Sequence, residues 1–169
     1  LEVLLVNNGS TDHSKQVFEA QLAKYDDSRF IVTNVPVNEG YGFGILSGLE
    51  KATGEILAWT HADMQTDFLD VFKAYDLYIS HNLPTILVKG SRKNRAIIPA
   101  FFTWGMGLIA SWALKVHLNE IGAQPKLFSR LFYEKYIKNQ APYNFSLDLF
   151  VQYQAQKYGK IVAFPVYFG

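Results

Sequence analysis

Four short apolar, β-prone runs, each ending in a polar or glycine-bearing loop, constrain this chain more than any other feature. The first is residues 1–6, followed by Asn7-Asn8-Gly9-Ser10-Thr11-Asp12, a loop rich in turn formers and helix caps. Val17, Phe18, Leu22 and Tyr25 then recur at near-helical spacing, and residues 29–33 read as a second strand. The pattern repeats. Asn38 opens a glycine-bearing loop, a helix over 45–51 ends at Thr53-Gly54, and a strand covers 55–58. Asp67 is set to cap a further helix with Phe68, Leu69, Val71, Phe72 and Tyr75 inward, before a fourth strand over 85–89. Such alternation predicts an α/β domain: a mostly parallel, Rossmann-like sheet flanked by helices, with a ligand crevice at the carboxyl ends of the strands.

With 169 residues and no internal repeat or linker, one domain is expected. Hydrophobic residues make up 49% and charged residues 18%, which excludes a disordered chain. A net charge of +1 gives no electrostatic case for nucleic acid. Absent cysteine removes thiolate chemistry and cysteine metal sites, and fits a reducing, cytoplasmic compartment. The chain opens inside a strand without an initiator Met or a signal-peptide pattern, and reads as a fragment. Towards its end, residues 126–130 read as extended, 131–138 as helical, a helix follows Ser146, and 160–166 form a last strand.

Three loops carry candidate chemistry. In Trp59-Thr60-His61-Ala62-Asp63-Met64-Gln65, an extended backbone would bring His61, Asp63 and Gln65 to one side, as a divalent-metal set. The alternative is a polar turn leading to the helix that Asp67 caps. In Asn38-Glu39-Gly40-Tyr41-Gly42-Phe43-Gly44, alternate glycines let backbone approach either a ligand or another part of the chain. Neither a dinucleotide fingerprint nor a P-loop is present, because Ile45 holds the place of the third glycine and no Gly-Lys-Ser/Thr follows. Gly90-Ser91-Arg92-Lys93-Asn94-Arg95 is either a phosphate-binding loop with Arg92 nearest the strand or a solvated cationic loop. Residues 97–114 hold no charge and include Phe101, Phe102, Trp104 and Trp112. A buried helix, an interfacial helix and a membrane span all fit that composition.

The ordered set Val6-Asn7-Asn8-Gly9-Ser10-Thr11-Asp12, Asn38-x-Gly40-x-Gly42, Ala52-x-Gly54-Glu55, His61-Ala62-Asp63-Met64-Gln65 and Gly90-Ser91-Arg92 resembles family-2 glycosyltransferases of the GT-A fold. The branch most similar is that of dolichyl- and polyprenyl-phosphate sugar synthases. Ala123-Gln124-Pro125-Lys126-Leu127-Phe128 and Phe145-Ser146-Leu147-Asp148-Leu149 extend the resemblance over the later part. It implies inverting transfer from a nucleotide-sugar donor to a polyprenyl phosphate or other glycan acceptor, with Mg²⁺ or Mn²⁺ on the diphosphate. By the same resemblance, Asn8, Asp12, Asn38, Gly40, Gly42 and Arg92 would bind donor, and His61, Asp63 and Gln65 metal. Asp148 would stand near the acceptor as base or orienting group. The 97–114 segment would lie at the cytoplasmic face of a membrane.

This sequence departs from that family at several points. His61 stands where an aspartate is usual, which shifts the metal expectation towards Mn²⁺, and Asn8 also replaces an aspartate. An earlier strand with a Pro-x-Tyr-Asn-Glu-like motif and a later basic segment are expected in the family but lie outside this sequence. Two other functions compete: a nucleotidyltransferase of similar topology, and a non-catalytic nucleotide-sugar-binding or scaffold domain.

Overall fold

The computed structural model describes residues 1–63, 65–93, 105 and 111–167. Among these the chain divides into two compact units, Leu1–Gly54 with Ala141–Leu147, and Glu55–Gln140 with Asp148–Gly169. Both are mixed α/β.

In the first unit, β1 (Val3–Asn8) pairs in parallel with β2 (Phe30–Val35), Val3 opposite Phe30 and Asn8 opposite Val35. A parallel pair requires a crossover, which α1 (Ser14–Tyr25) supplies. No residue of α1 is fully buried: Phe18 and Leu22 are half-buried, whereas Val17 and Tyr25 are exposed. Helix α2 (Tyr41–Lys51) packs against β1 and begins four residues earlier than the expected 45. It runs through Gly42, Gly44 and Gly48, all buried, so the stretch expected as a glycine-bearing loop already forms the start of the helix from Tyr41 on.

The second unit contains β3 (Ile56–Trp59), α3 (Asp70–His81), β4 (Ile86–Lys93), β5 (Lys126–Ser129), α4 (Arg130–Tyr136), α5 (Leu147–Tyr158) and β6 (Lys160–Tyr167). Strand order is β3-β5-β4-β6. Strand β5 runs antiparallel to both neighbours while β4 and β6 are parallel, so the expected mostly parallel sheet is mixed. Period-2 alternation explains how β5 serves two layers. Leu127 joins Ala74, Ile86, Val88, Phe164 and Val166 in one core. Phe128 instead packs on Trp59 (ring centroids 5.5 Å) and Phe132 (5.7 Å).

Helix α3 presents a different face from the one expected. Phe68, Leu69, Phe72 and Tyr75 are all exposed, and Asp70 and Ala74 are buried, with Leu77 and Tyr78 packed on the core. Ala74 has no bulk to hold the helix off the sheet, and Asp70 is neutralised by Lys73 at 2.6 Å. The basic stretch Gly90-Ser91-Arg92-Lys93 also differs from expectation, since β4 continues through it, paired with Phe164 to Tyr167 of β6. Arg92 is therefore a strand residue. Most of the 97–114 segment lies outside the described residues. Among those described, no helix is long and apolar enough to cross a membrane.

Candidate functional site

The expected site residues are divided between the two units. In the first unit the carboxyl ends of β1 and β2 place Asn8 and Asn38 together. Asn8 Nδ2 donates to Asn38 Oδ1 at 3.3 Å and to the Gly40 carbonyl at 3.0 Å, while Asn8 Oδ1 is buried with no hydrogen bond among the described residues. Asn38 Oδ1 also accepts from Gly40 N at 2.9 Å. Gly40 has φ +124°, a conformation that favours glycine. A Cβ there would lie 2.5 Å from the Tyr143 carbonyl oxygen, and one on Gly42 the same distance from that of Pro142. The space that the glycines open is thus taken by residues 142–144 of the same unit, and Phe43 N donates to Tyr143 O at 2.9 Å. Asp12 makes an Asx turn just before α1, accepting from Ser14 N at 2.9 Å and Ser14 Oγ at 2.6 Å. Those bonds hold its carboxyl below the usual aspartate range.

In the second unit, the loop after β3 does not stay extended. Gln65 N donates to Asp63 Oδ1 at 3.1 Å, an Asx turn that breaks the period-2 geometry on which convergence of His61, Asp63 and Gln65 depended. Asp67 makes a second such turn with Leu69 N at 2.9 Å, short of the helix start at Asp70. Asp63 and Gln65 are exposed and His61 is half-buried. Among the described residues no group of three His, Cys, Asp or Glu side chains could hold a metal ion. Asp63 is the loop's hard anionic donor before Asp67, so Mg²⁺ or Mn²⁺ here would draw most of its oxygens from water or a bound diphosphate.

Arg92 and Asp148 meet a buried cluster that the sequence did not signal. Arg92 Nε donates to Glu120 Oε2 at 2.8 Å. Lys89 Nζ donates to the carbonyls of Asn119 and Glu120, both at 2.8 Å. Lys126 Nζ donates to Ile121 O (2.9 Å), Ala123 O (3.2 Å) and, in a short ion pair, Asp148 Oδ1. Gln124 Nε2 adds a bond to the same carboxylate oxygen at 3.2 Å. Gln152 Nε2 reaches the Glu120 and Ile121 carbonyls at 3.3 and 3.2 Å. Burial, with Lys126 beside it, pulls Lys89 down to about 7. Burial also lowers Lys126, against the opposing pull of Asp148. No hydropathy pattern could have announced these two lysines, because charged residues in strands ordinarily mark a solvent face.

The family model for glycosyl transferase family 2 matches residues 1–107, well over half of the chain. The chain belongs to glycosyl transferase family 2. No curated protein sequence matches it. Among solved structures, the crystal structure of S. aureus TarS 1-349 aligns with a TM-score of 0.60 at 18% identity. The alignment covers 98% of this chain and 50% of that one, so the chain spans about half the length of the solved structure. That likeness carries the mixed α/β fold. Within this family 2 chain, the match takes in Asn8, Asp12, Asn38, Gly40, Gly42, His61, Asp63, Gln65 and Arg92, whereas Lys126 and Asp148 fall beyond it.

Proposed function

We propose that this family 2 protein is an inverting glycosyltransferase that moves a sugar from a nucleotide-sugar donor to a polyprenyl phosphate. The observation that carries the reading is a buried carboxylate, Asp148, held by Lys126 and Gln124 in the first turn of α5, in a chain of this family. In the reaction an acceptor oxygen bonds to the anomeric carbon as the bond to the diphosphate breaks, and the nucleoside diphosphate leaves with the electron pair. A phosphate acceptor arrives ionised, and Asp148 then orients it; a hydroxyl acceptor loses its proton to Asp148. Asn8 and Asn38 offer uncharged amides for the nucleoside, and Arg92 a guanidinium for phosphate. Asp63 would hold Mg²⁺ or Mn²⁺, which, when bound, offsets the charge growing on the leaving diphosphate.

Incubating the protein with a panel of nucleotide sugars, Mn²⁺ and polyprenyl phosphate in liposomes tests this. The expected product is lipid-linked sugar, reduced at least a hundredfold in Asp148→Asn when the acceptor is a hydroxyl and less when it is a phosphate. Pyrophosphate exchange would instead indicate a nucleotidyltransferase, and saturable donor binding without turnover a non-catalytic domain. Either result overturns the proposal. The non-catalytic alternative draws on one feature, the Asx turn that already engages Asp63 in a loop with His61 in place of a second carboxylate.

A further inference from the structure

Lys126 is fully buried, and its three N–H donors meet three acceptors, the carbonyls of Ile121 and Ala123 and the carboxylate of Asp148. Its place in the sheet is equally fixed. As the first residue of β5 it stands opposite Trp59, the last residue of β3, and opposite Lys89 of β4. Its ammonium lies 5.6 Å from the centre of the Trp59 ring. One side chain thus ties together the start of α5, residues 119–123 and the strand end from which the loop of His61 and Asp63 departs.

A buried ion pair is a poor device for stability alone. Desolvation of both charges offsets their attraction, and well-packed apolar residues of similar volume serve as well or better. What the pair supplies is a fixed position. Asp148 sits in the first turn of α5, where helix geometry alone leaves its carboxylate several rotamers. The bonds from Lys126 and Gln124 to the same oxygen select one. Residues 119–123, in turn, are fixed by Lys89 and Gln152 through their carbonyls and by Arg92 through Glu120. The anchor beneath Lys126 is rigid because three further polar side chains, Lys89, Arg92 and Gln152, converge on that segment.

We infer that Lys126 is a positioning residue for glycosyl transfer, holding the Asp148 carboxylate in the orientation that the acceptor requires. The inference rests on the glycosyltransferase reading above and concerns a residue outside the matched family segment. Lys126 itself touches no reacting atom. Its removal therefore acts on turnover and leaves donor recognition in place.

The test is a double-mutant cycle of Lys126→Met and Asp148→Asn, with kcat, donor KM and the stoichiometry of donor binding measured for each protein on the donor that the wild type uses. For Lys126→Met the expected result is a fall in kcat of at least fiftyfold, with donor KM within threefold and stoichiometry unchanged. The double variant is expected to be no slower than the worse single one, because both changes remove one interaction. A purely structural lysine would lower stoichiometry and kcat together, and that outcome overturns the inference. So does a kcat within threefold of wild type, or losses that multiply in the double variant. If Lys126→Met does not fold, Lys126→Leu, which also removes every donor to the carboxylate, takes its place with the same thresholds. A wild type that turns over no nucleotide sugar overturns the glycosyltransferase reading and the role of Lys126 with it. That result is distinct from an active wild type with an unaffected variant.

Discussion

Lys89 and Lys126 stand opposite each other in the register of β4 and β5, yet their hydrogen-bond inventories differ. Lys126 has three acceptors, one of them a carboxylate, as an ammonium requires. Lys89 has two carbonyls among the described residues, which match the two N–H groups of a neutral amine. Burial, the charges of Lys126 and Arg92, and the opposing carboxylates of Glu120 and Asp148 set its value at about 7. The unfolded chain holds that proton up to the ordinary lysine range, so between about pH 7 and that range the unfolded state binds more protons. Stability contributed by this group is therefore lost as pH falls towards 7 and recovered as pH rises, at up to about 1.4 kcal/mol per pH unit. Urea unfolding midpoints measured from pH 7 to 9.5 should rise less steeply for Lys89→Met than for the wild type; parallel slopes would contradict the assignment. In the sequence Lys89 and Lys126 look like any surface lysines. Their burial comes from pairing across strands far apart in the chain, which no local pattern encodes.

At the scale of elements, strands were legible and loops were not. Each apolar run identified in the sequence forms a strand within a few residues of its expected bounds, because period and β-branching act locally. Helix α3 was placed correctly but turned: the buried Asp70 and Ala74 oppose the apolar stripe, and pairing with Lys73 lets the aspartate go inward. Of the two conformations open to the loop after β3, the structure takes the polar turn, since a carboxylate two residues before a backbone amide closes an Asx turn readily. Glycines of α2 offer a sharper test of what such features do. Gly42→Ala gains about 1 kcal/mol of helix propensity. Against that, its Cβ would sit 2.5 Å from the Pro142 carbonyl and 2.8 Å from Tyr143 C, backbone that cannot swing aside. The clash outweighs propensity, and a net loss of roughly 1–3 kcal/mol is expected in urea unfolding. Ser47→Ala in the same helix is the control. Ser47 Oγ donates to the Phe43 carbonyl one turn back, a bond local to the helix, so the change should stay within about 0.5 kcal/mol.

For the molecule as a whole, the sequence conveyed the α/β class but not the strand order, because β5 enters antiparallel between β3 and β4 through pairings distant in sequence. The two units differ in how much they bury. In the first, β1 contributes only Asn7 as a buried residue, β2 only Thr33 and Val35, and α1 none. Two paired strands alone are marginal, and α2 with its four buried residues supplies most of their cover. In the second, Ile86 to Gly90 of β4 and all four residues of β5 are buried, with Phe128 of β5 and Phe132 of α4 at full burial. Each such phenylalanine stabilises the fold by roughly 1.5–3 kcal/mol relative to an exposed one. Amide exchange opens the least buried regions first. Native-state hydrogen exchange should therefore release α1 and β2 at low opening free energy, and hold β4 and β5 until global unfolding. Phe132→Ala, which empties a site in the better-packed unit, should cost about 3–5 kcal/mol. It should lower the protection of β4 and β5 while leaving the rates of α1 amides unchanged, since those already exchange by local opening. Equal loss of protection in both units would show instead that they unfold only together.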